Sequence, residues 1–203
     1  LNIQFLQKKL ADGNLSSELQ SEVLNTLLSD NQRAANIIRT LRSVFADDRI
    51  ISSDVDMGEL IHAVLEITSP ELSSKQIKMD LNLEPALCIQ SNRSEIQQVL
   101  LNLVNNAIQA LSSSSQINKK ILIEGRHTGS DIEISISDNG DGVSKSAQGN
   151  LFELLADSKK GMGLGLWLCK HVITRHGGAI WYEDVPTGGA KFVCRLPIQA
   201  ASA

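Results

Sequence analysis

The segment EIQQVLLNLVNNAIQAL (residues 95–111) limits the fold more than any other. At about 100° of rotation per residue, Ile96, Val99, Leu100, Leu103, Val104, Ala107, Ile108 and Leu111 share one continuous face, which an amphipathic helix buries against a second layer. Glu95, Gln98, Asn102, Asn106 and Gln109 fall opposite, within an arc of about 80°. A solvated helix face is ordinarily built from Lys and Glu, and asparagine is a poor helix former. Two asparagines one turn apart, with Asn105 beside them, instead suit ligand chemistry. Neutral amides offer oxygens to a hard cation and N–H donors to phosphates.

Around this helix the pattern is mixed. Residues 58–68 read as a helix, and 77–83 and 86–90 alternate like strands. Residues 119–127 and 131–138 form a strand pair around Thr128-Gly129-Ser130, 141–160 read as loop, 163–176 as helix, and 178–184 with 189–197 as a closing hairpin. That grouping indicates an α+β fold, a two-layer α/β sandwich with helices on one face of a mixed sheet. Aromatics are only 3% of the chain, so its core is aliphatic, with Trp167 and Trp181 as anchors. A net charge of −4 excludes a broad nucleic-acid surface. Cys88, Cys169 and Cys194 lie far apart in apolar runs and read as buried thiols of a reducing compartment, not as a metal site. No apolar run approaches the length of a membrane span, and LNIQFLQKKL lacks a signal-peptide pattern.

Residues 1–46 read as a helical hairpin. Ile3, Leu6 and Leu10 stripe a first, short helix that stops at Gly13-Asn14. Ser17-x-x-Gln20 resembles a capping box for the second. Leu19, Val23, Leu27, Ala34, Ile38, Leu41 and Phe45 give that helix a near-heptad stripe. Its far half has no covering segment of matching length, so the expectation is that either the first helix continues upstream of Leu1 or another chain covers that face. The link at 46–54 is polar and precedes a second domain, 52–199.

Two glycine motifs follow. DNGDGV (138–143) closes a strand, with Asp138 at its end and Gly140 and Gly142 spaced by two. Such a turn also suits a plain hairpin, but a carboxylate there accepts from an exocyclic amine and so selects adenine over guanine. KKGMGLGL (159–166) places Gly161, Gly163 and Gly165 before a helix. Glycines of this kind let backbone N–H groups approach an anion at a helix N-terminus. It is neither the dinucleotide fingerprint nor a P-loop.

The amide-rich helix, Asp138-x-Gly140-x-Gly142, Gly161-x-Gly163-x-Gly165 and then TGGAKFVCRLP (187–197), in this order, resemble the ATP-binding domain of sensor histidine kinases, in the wider family shared with gyrase, Hsp90 and MutL. The GMGLGL form looks most like the oxygen- and nitrogen-sensing subgroup. The resemblance implies the fold of that family preceded by a partial dimerisation and histidine-phosphotransfer hairpin (1–46). It implies that Asp138 holds the adenine amine with Gly140 and Gly142 against the base, and that Asn106 gives its oxygen to Mg²⁺. Asn102 would bind a phosphate or its water and count as catalytic. Glu95 would either polarise the site or merely suit the helix dipole. Gly161, Gly163, Leu164, Gly165 and Leu166 would fold over the ATP phosphates, with Lys159 and Lys160 as lid charges.

Implied partners are ATP, a response-regulator receiver domain and a second copy of the chain bound through the hairpin. The implied location is cytoplasmic, whether or not the parent protein is membrane-anchored. The sequence departs from the family at Gln109, where many members carry lysine, and at Phe152, where many carry Phe-x-Pro-Phe. None of His62, His127, His171 or His176 has the acceptor context of an acidic neighbour and a nearby proline. The expected acceptor therefore lies outside this sequence, and the chain alone should not phosphorylate itself. An ATP-hydrolysing switch of the gyrase or Hsp90 kind would need a glutamate one turn before the metal-binding asparagine, and that position is Asn102.

Overall fold

The computed structural model describes residues 24, 27, 52–153, 164–186 and 188–198. Leu24 and Leu27 are helical. The rest of the expected hairpin, and Leu154, Leu155, Lys159, Lys160, Gly161 and Gly163, lie outside the described residues. The chain divides into two compact units, Leu1–Ala46 and Asp47–Ala203. The fold below belongs to the second.

Its elements are β1 (Ser53–Asp56), α1 (Met57–Ser74), β2 (Lys78–Leu83), β3 (Cys88–Ser91), α2 (Arg93–Ser113), β4 (Lys120–Thr128), β5 (Asp131–Asp138), a single turn α3 (Lys145–Gln148), α4 (Gly165–Arg175), β6 (Ala179–Asp184) and β7 (Ala190–Pro197). A five-stranded sheet runs in the order β2-β4-β5-β7-β6, and β1 with β3 forms a separate ribbon. Only β2 and β4 pair in parallel within the larger sheet, so it is mixed.

Strand alternation sends Ile121 and Ile123 of β4, Ile132, Ile134 and Ile136 of β5, and Phe192, Cys194 and Leu196 of β7 into one core. From the helical layer, Leu60, Ile61 and Val64 of α1 and Leu168, Cys169, Val172 and Ile173 of α4 meet them. All eight residues of the apolar stripe on α2 are buried. The opposite sheet face is polar and laced by ion pairs, among them Lys120–Asp80 at 2.6 Å and Lys191–Glu124 at 3.6 Å. One wet face and one covered face make a two-layer α/β sandwich.

Four expectations need correction. Ser53 and Asp54, read as the end of the link, instead open the strand Ser53–Asp56; with Val55 its one buried side chain, β1 has no alternation to read. α1 does not stop at Thr68 but continues through Pro70 to Ser74, where buried Leu72 holds the last turn on the core. Cys88 is exposed, while Cys169 and Cys194 are buried. Of the two tryptophans, Trp167 is half-buried, packs against the core and stacks on His171, but Trp181 is no core anchor: it lies half-buried on the polar face with the Arg195 guanidinium 5.7 Å from its ring.

Candidate functional site

Asp138 ends β5 and is buried at 5% exposure, an unusual place for a carboxylate. Its Oδ1 accepts the Gly140 N–H at 2.9 Å. Burial pushes its pKa up, the N–H groups of Gly140 and Ala190 pull it back, and the net direction is upward. The loop is fastened on both sides. Asn139 accepts the Lys120 N–H at 2.8 Å and donates to the Asn118 carbonyl at 2.7 Å. Asp141 accepts from the Ser114 hydroxyl at 2.9 Å, which ties the loop to the end of α2. DNGDG is therefore an anchored ledge, not a simple hairpin turn.

Beneath the ledge lies the turn between β6 and β7. Gly189 has φ +102, and a Cβ there would fall 1.8 Å from the Asp138 carbonyl oxygen. Gly142 has φ +73, and its Cβ would fall 2.8 Å from the Gly189 oxygen. Only glycine permits this approach. Gly188 and Gly189 belong to the TGGAKFVCRLP stretch, but nothing in that stretch alone gives them a place among the site residues. The doublet itself is the one sequence signal of their role.

α2 is the spine of the site. Ala110 lies beside Gly140. Asn106 is one turn back and Asn102 two, about 6 and 12 Å along the axis. Asn102, Asn105 and Asn106 are half-buried, and Gln109 is exposed. The Gln98 amide donates to Asn102 Oδ1 at 3.2 Å. Behind Asn102 stands Cys169 of α4, whose Sγ lies 3.8 Å from the Val99 oxygen and bonds the Asn102 amide. Burial pushes that thiol up to about 12, so it is neutral and unreactive.

α4 runs antiparallel to α2. Arg175 and His176 meet Glu95, and Cys169 meets Val99 and Asn102. The same register carries the first turn of α4, at Gly165 and Leu166, level with Asn105 and Asn106. Leu164 supplies no side-chain cap, and a Cβ on Gly165 would meet nothing within 4 Å. Packing does not require glycine at 165. Among the described residues nothing fills the space beside this helix start, and a helix N-terminus suits an anion. Asp138, Gly140, Gly142, Asn102, Asn106, Leu164, Gly165 and Leu166 thus line one side of the fold along α2.

Glu95 does not join them. It sits at the far end of α2, where Oε1 pairs with Arg175 and Oε2 with His176 Nε2 at 2.8 Å. Burial raises its pKa, but the bonds from His176 and Arg175 outweigh that and leave it lowered. The expectation that Glu95 polarises the site gives way to an ion-paired brace.

A family model described as histidine kinase-, DNA gyrase B-, and HSP90-like ATPase matches residues 91–200, from the end of β3 past β7. The chain belongs to that family. Among its relatives, the sensor protein FixL of Bradyrhizobium diazoefficiens is 32% identical over 81% of this chain and 33% of its own length. The adaptive-response sensory kinase SasA of Crocosphaera subtropica is 28% identical over 91% of this chain and 49% of its own. The chain thus spans half or less of these relatives. The catalytic domain of the histidine kinase ThkA superposes with TM-score 0.66 at 28% identity, over 73% of this chain and 98% of that domain. Full-length ShkA in complex with AMPPNP superposes with TM-score 0.75 at 25% identity, over 93% of this chain and 41% of that one. The named relatives and solved structures, sensory and histidine kinases, tie this ATPase-type domain to the histidine-kinase branch of the family, and among the described residues no helix is long and apolar enough to cross a membrane.

Proposed function

We propose that this chain is the catalytic part of a two-component sensor histidine kinase, binding Mg-ATP and positioning its γ-phosphoryl for transfer to a histidine and then to a response-regulator receiver domain. The observation that carries this reading is the alignment along α2: a buried carboxylate at one end, an amide pair one and two turns away, and the start of α4 beside the amides. That order suits a base, a metal and a phosphate chain in turn.

In this reading Asp138 accepts the adenine amine, and Gly140 and Gly142 present backbone to the ring. Asn106 is the protein ligand of Mg²⁺, which keeps waters and phosphate oxygens for its other positions. Asn102 binds a phosphate or its water. Gly161, Gly163, Leu164, Gly165 and Leu166 give N–H groups to the phosphates, with Lys159 and Lys160 beside them. ATP supplies the phosphoryl group; the chain positions it and offsets its charge. Residues 1–46 serve as the dimerisation hairpin and 52–199 as the catalytic domain. A reaction that consumes ATP suits the cytoplasm, where ATP is found.

Asn102 also separates this reading from an ATP-hydrolysing switch, because an amide cannot take a proton from water at neutral pH. In this reading the lid spans roughly residues 144–160 and Phe152, whose ring packs edge-on against Phe192 at 6.3 Å, anchors it.

Asn106→Ala should remove the gain in nucleotide affinity that Mg²⁺ provides while leaving metal-free ADP binding nearly unchanged. Titration with and without Mg²⁺ checks this, and a full metal effect in the variant would exclude Asn106 as ligand. Incubated with γ-labelled ATP, the 203-residue chain should bind nucleotide and take up no label. His62 and His127 are exposed, His171 stacks on Trp167, and His176 is held by Glu95 and Ser91. The parent protein should carry acid-labile label on a histidine outside these residues. Label on any of these four would overturn the assignment of the acceptor.

A further inference from the structure

At the far end of the α2–α4 pair lies a series of linked side chains that the nucleotide site does not use. Ser91, the last residue of β3, is buried and its Oγ lies 3.1 Å from His176 Nδ1. His176 Nε2 meets Glu95 Oε2 at 2.8 Å, and Glu95 Oε1 meets Arg175. His176 is itself buried, and its backbone N–H closes the end of α4 on the Val172 carbonyl. One carboxylate thus joins the start of α2 to the end of α4 and, through the imidazole, to β3.

We propose that Glu95, with Arg175 and His176, is a positioning clamp that sets the start of α4 against Asn102 and Asn106, and so tunes binding of the phosphate chain but not of the base. This rests on the nucleotide site proposed above. α4 is a lever: from Arg175 to Gly165 it spans about 15 Å, so a tilt of about 4° at the pinned end moves the Gly165 end by about 1 Å. A displacement of that size matters for groups that must meet a phosphate. Asp138, fastened through Asn139 to β4 and through Asp141 to Ser114, does not depend on the clamp.

Glutamine at position 95 retains the brace. Its oxygen accepts from Arg175 and its amide donates to His176 Nε2, while Nδ1–H turns to the Ser91 hydroxyl. Alanine removes both bonds.

The test compares adenosine and Mg-ATP affinities by calorimetry for wild type, Glu95→Ala and Glu95→Gln, well below their melting temperatures. Glu95→Ala should weaken Mg-ATP about tenfold and leave adenosine within about twofold, and Glu95→Gln should restore most of the loss. If Glu95→Ala does not fold, Arg175→Gln, which leaves His176 on Glu95, takes its place with the same expected split. A wild-type ratio of ATP to adenosine affinity in the folded variant overturns the clamp, even if the melting temperature falls. So does a glutamine variant as impaired as the alanine one. A wild-type chain that binds neither ligand removes the site, and the clamp with it.

Discussion

Asp138→Ala is expected to weaken adenine-nucleotide binding about thirtyfold or more while the domain stays folded. The substitution removes a hydrogen bond to an ionised carboxylate, worth about 2 kcal/mol, and each 1.4 kcal/mol is about tenfold in Kd. Guanine nucleotides, which present a carbonyl at the same place, should lose little. The stability of the unliganded domain should move the other way in Asp138→Asn. The pKa of Asp138 is raised in the fold, chiefly by burial. A raised carboxylate gives its full share of stability only below its unfolded value, near pH 4, and that share is lost as pH rises through the folded value. At neutral pH the wild type therefore carries a cost that asparagine lacks. Melting curves should show Asp138→Asn more stable at pH 7 and the difference shrinking as pH falls toward 4. An aspartate that helps stability at neutral pH would argue for a structural turn and against an adenine acceptor.

Gly189→Ala should be among the most damaging single methyl additions in the domain. The new Cβ would stand 1.8 Å from the Asp138 carbonyl oxygen, 2.8 Å from its carbon and 2.9 Å from Asn139 Cα, all backbone atoms. The φ of +102 adds strain for any L side chain. The β6–β7 turn and the DNGDG ledge must then separate, at a cost of at least about 2 kcal/mol, and nucleotide binding should fall with it. Gly149→Ala is the matched control, since its φ is −63 and a Cβ meets nothing within 4 Å. Thermal melts of the two variants separate a close backbone approach from a general intolerance of loop substitutions.

The legible parts of this chain are those where one residue type has one physical reason to be there. The stripe of α2 is readable because a helix period sustained from Glu95 to Leu111 leaves no other face to bury. Asp138, Gly140 and Gly142 are readable because a carboxylate and two glycines end a clear strand. β1 is not, because a four-residue ribbon strand with one buried side chain carries no period. The role of Glu95 is not either. A glutamate in the first turn of a helix satisfies the dipole locally, and nothing local discloses that Arg175 and His176, about eighty residues on, close upon it. Gly188 and Gly189 are visible as a doublet, but their purpose is a close approach to a strand end about fifty residues earlier. Long-range pairing is what single-sequence reading lacks, and the site is assembled by it.

The most direct measurement is a titration of the chain with a fluorescent ATP analogue, with and without Mg²⁺, followed by competition with unlabelled ADP and GTP. Saturable binding that tightens with Mg²⁺, yields to ADP and resists GTP is the expected result. Absence of saturable binding by the folded domain, or displacement by GTP as readily as by ADP, would contradict the account.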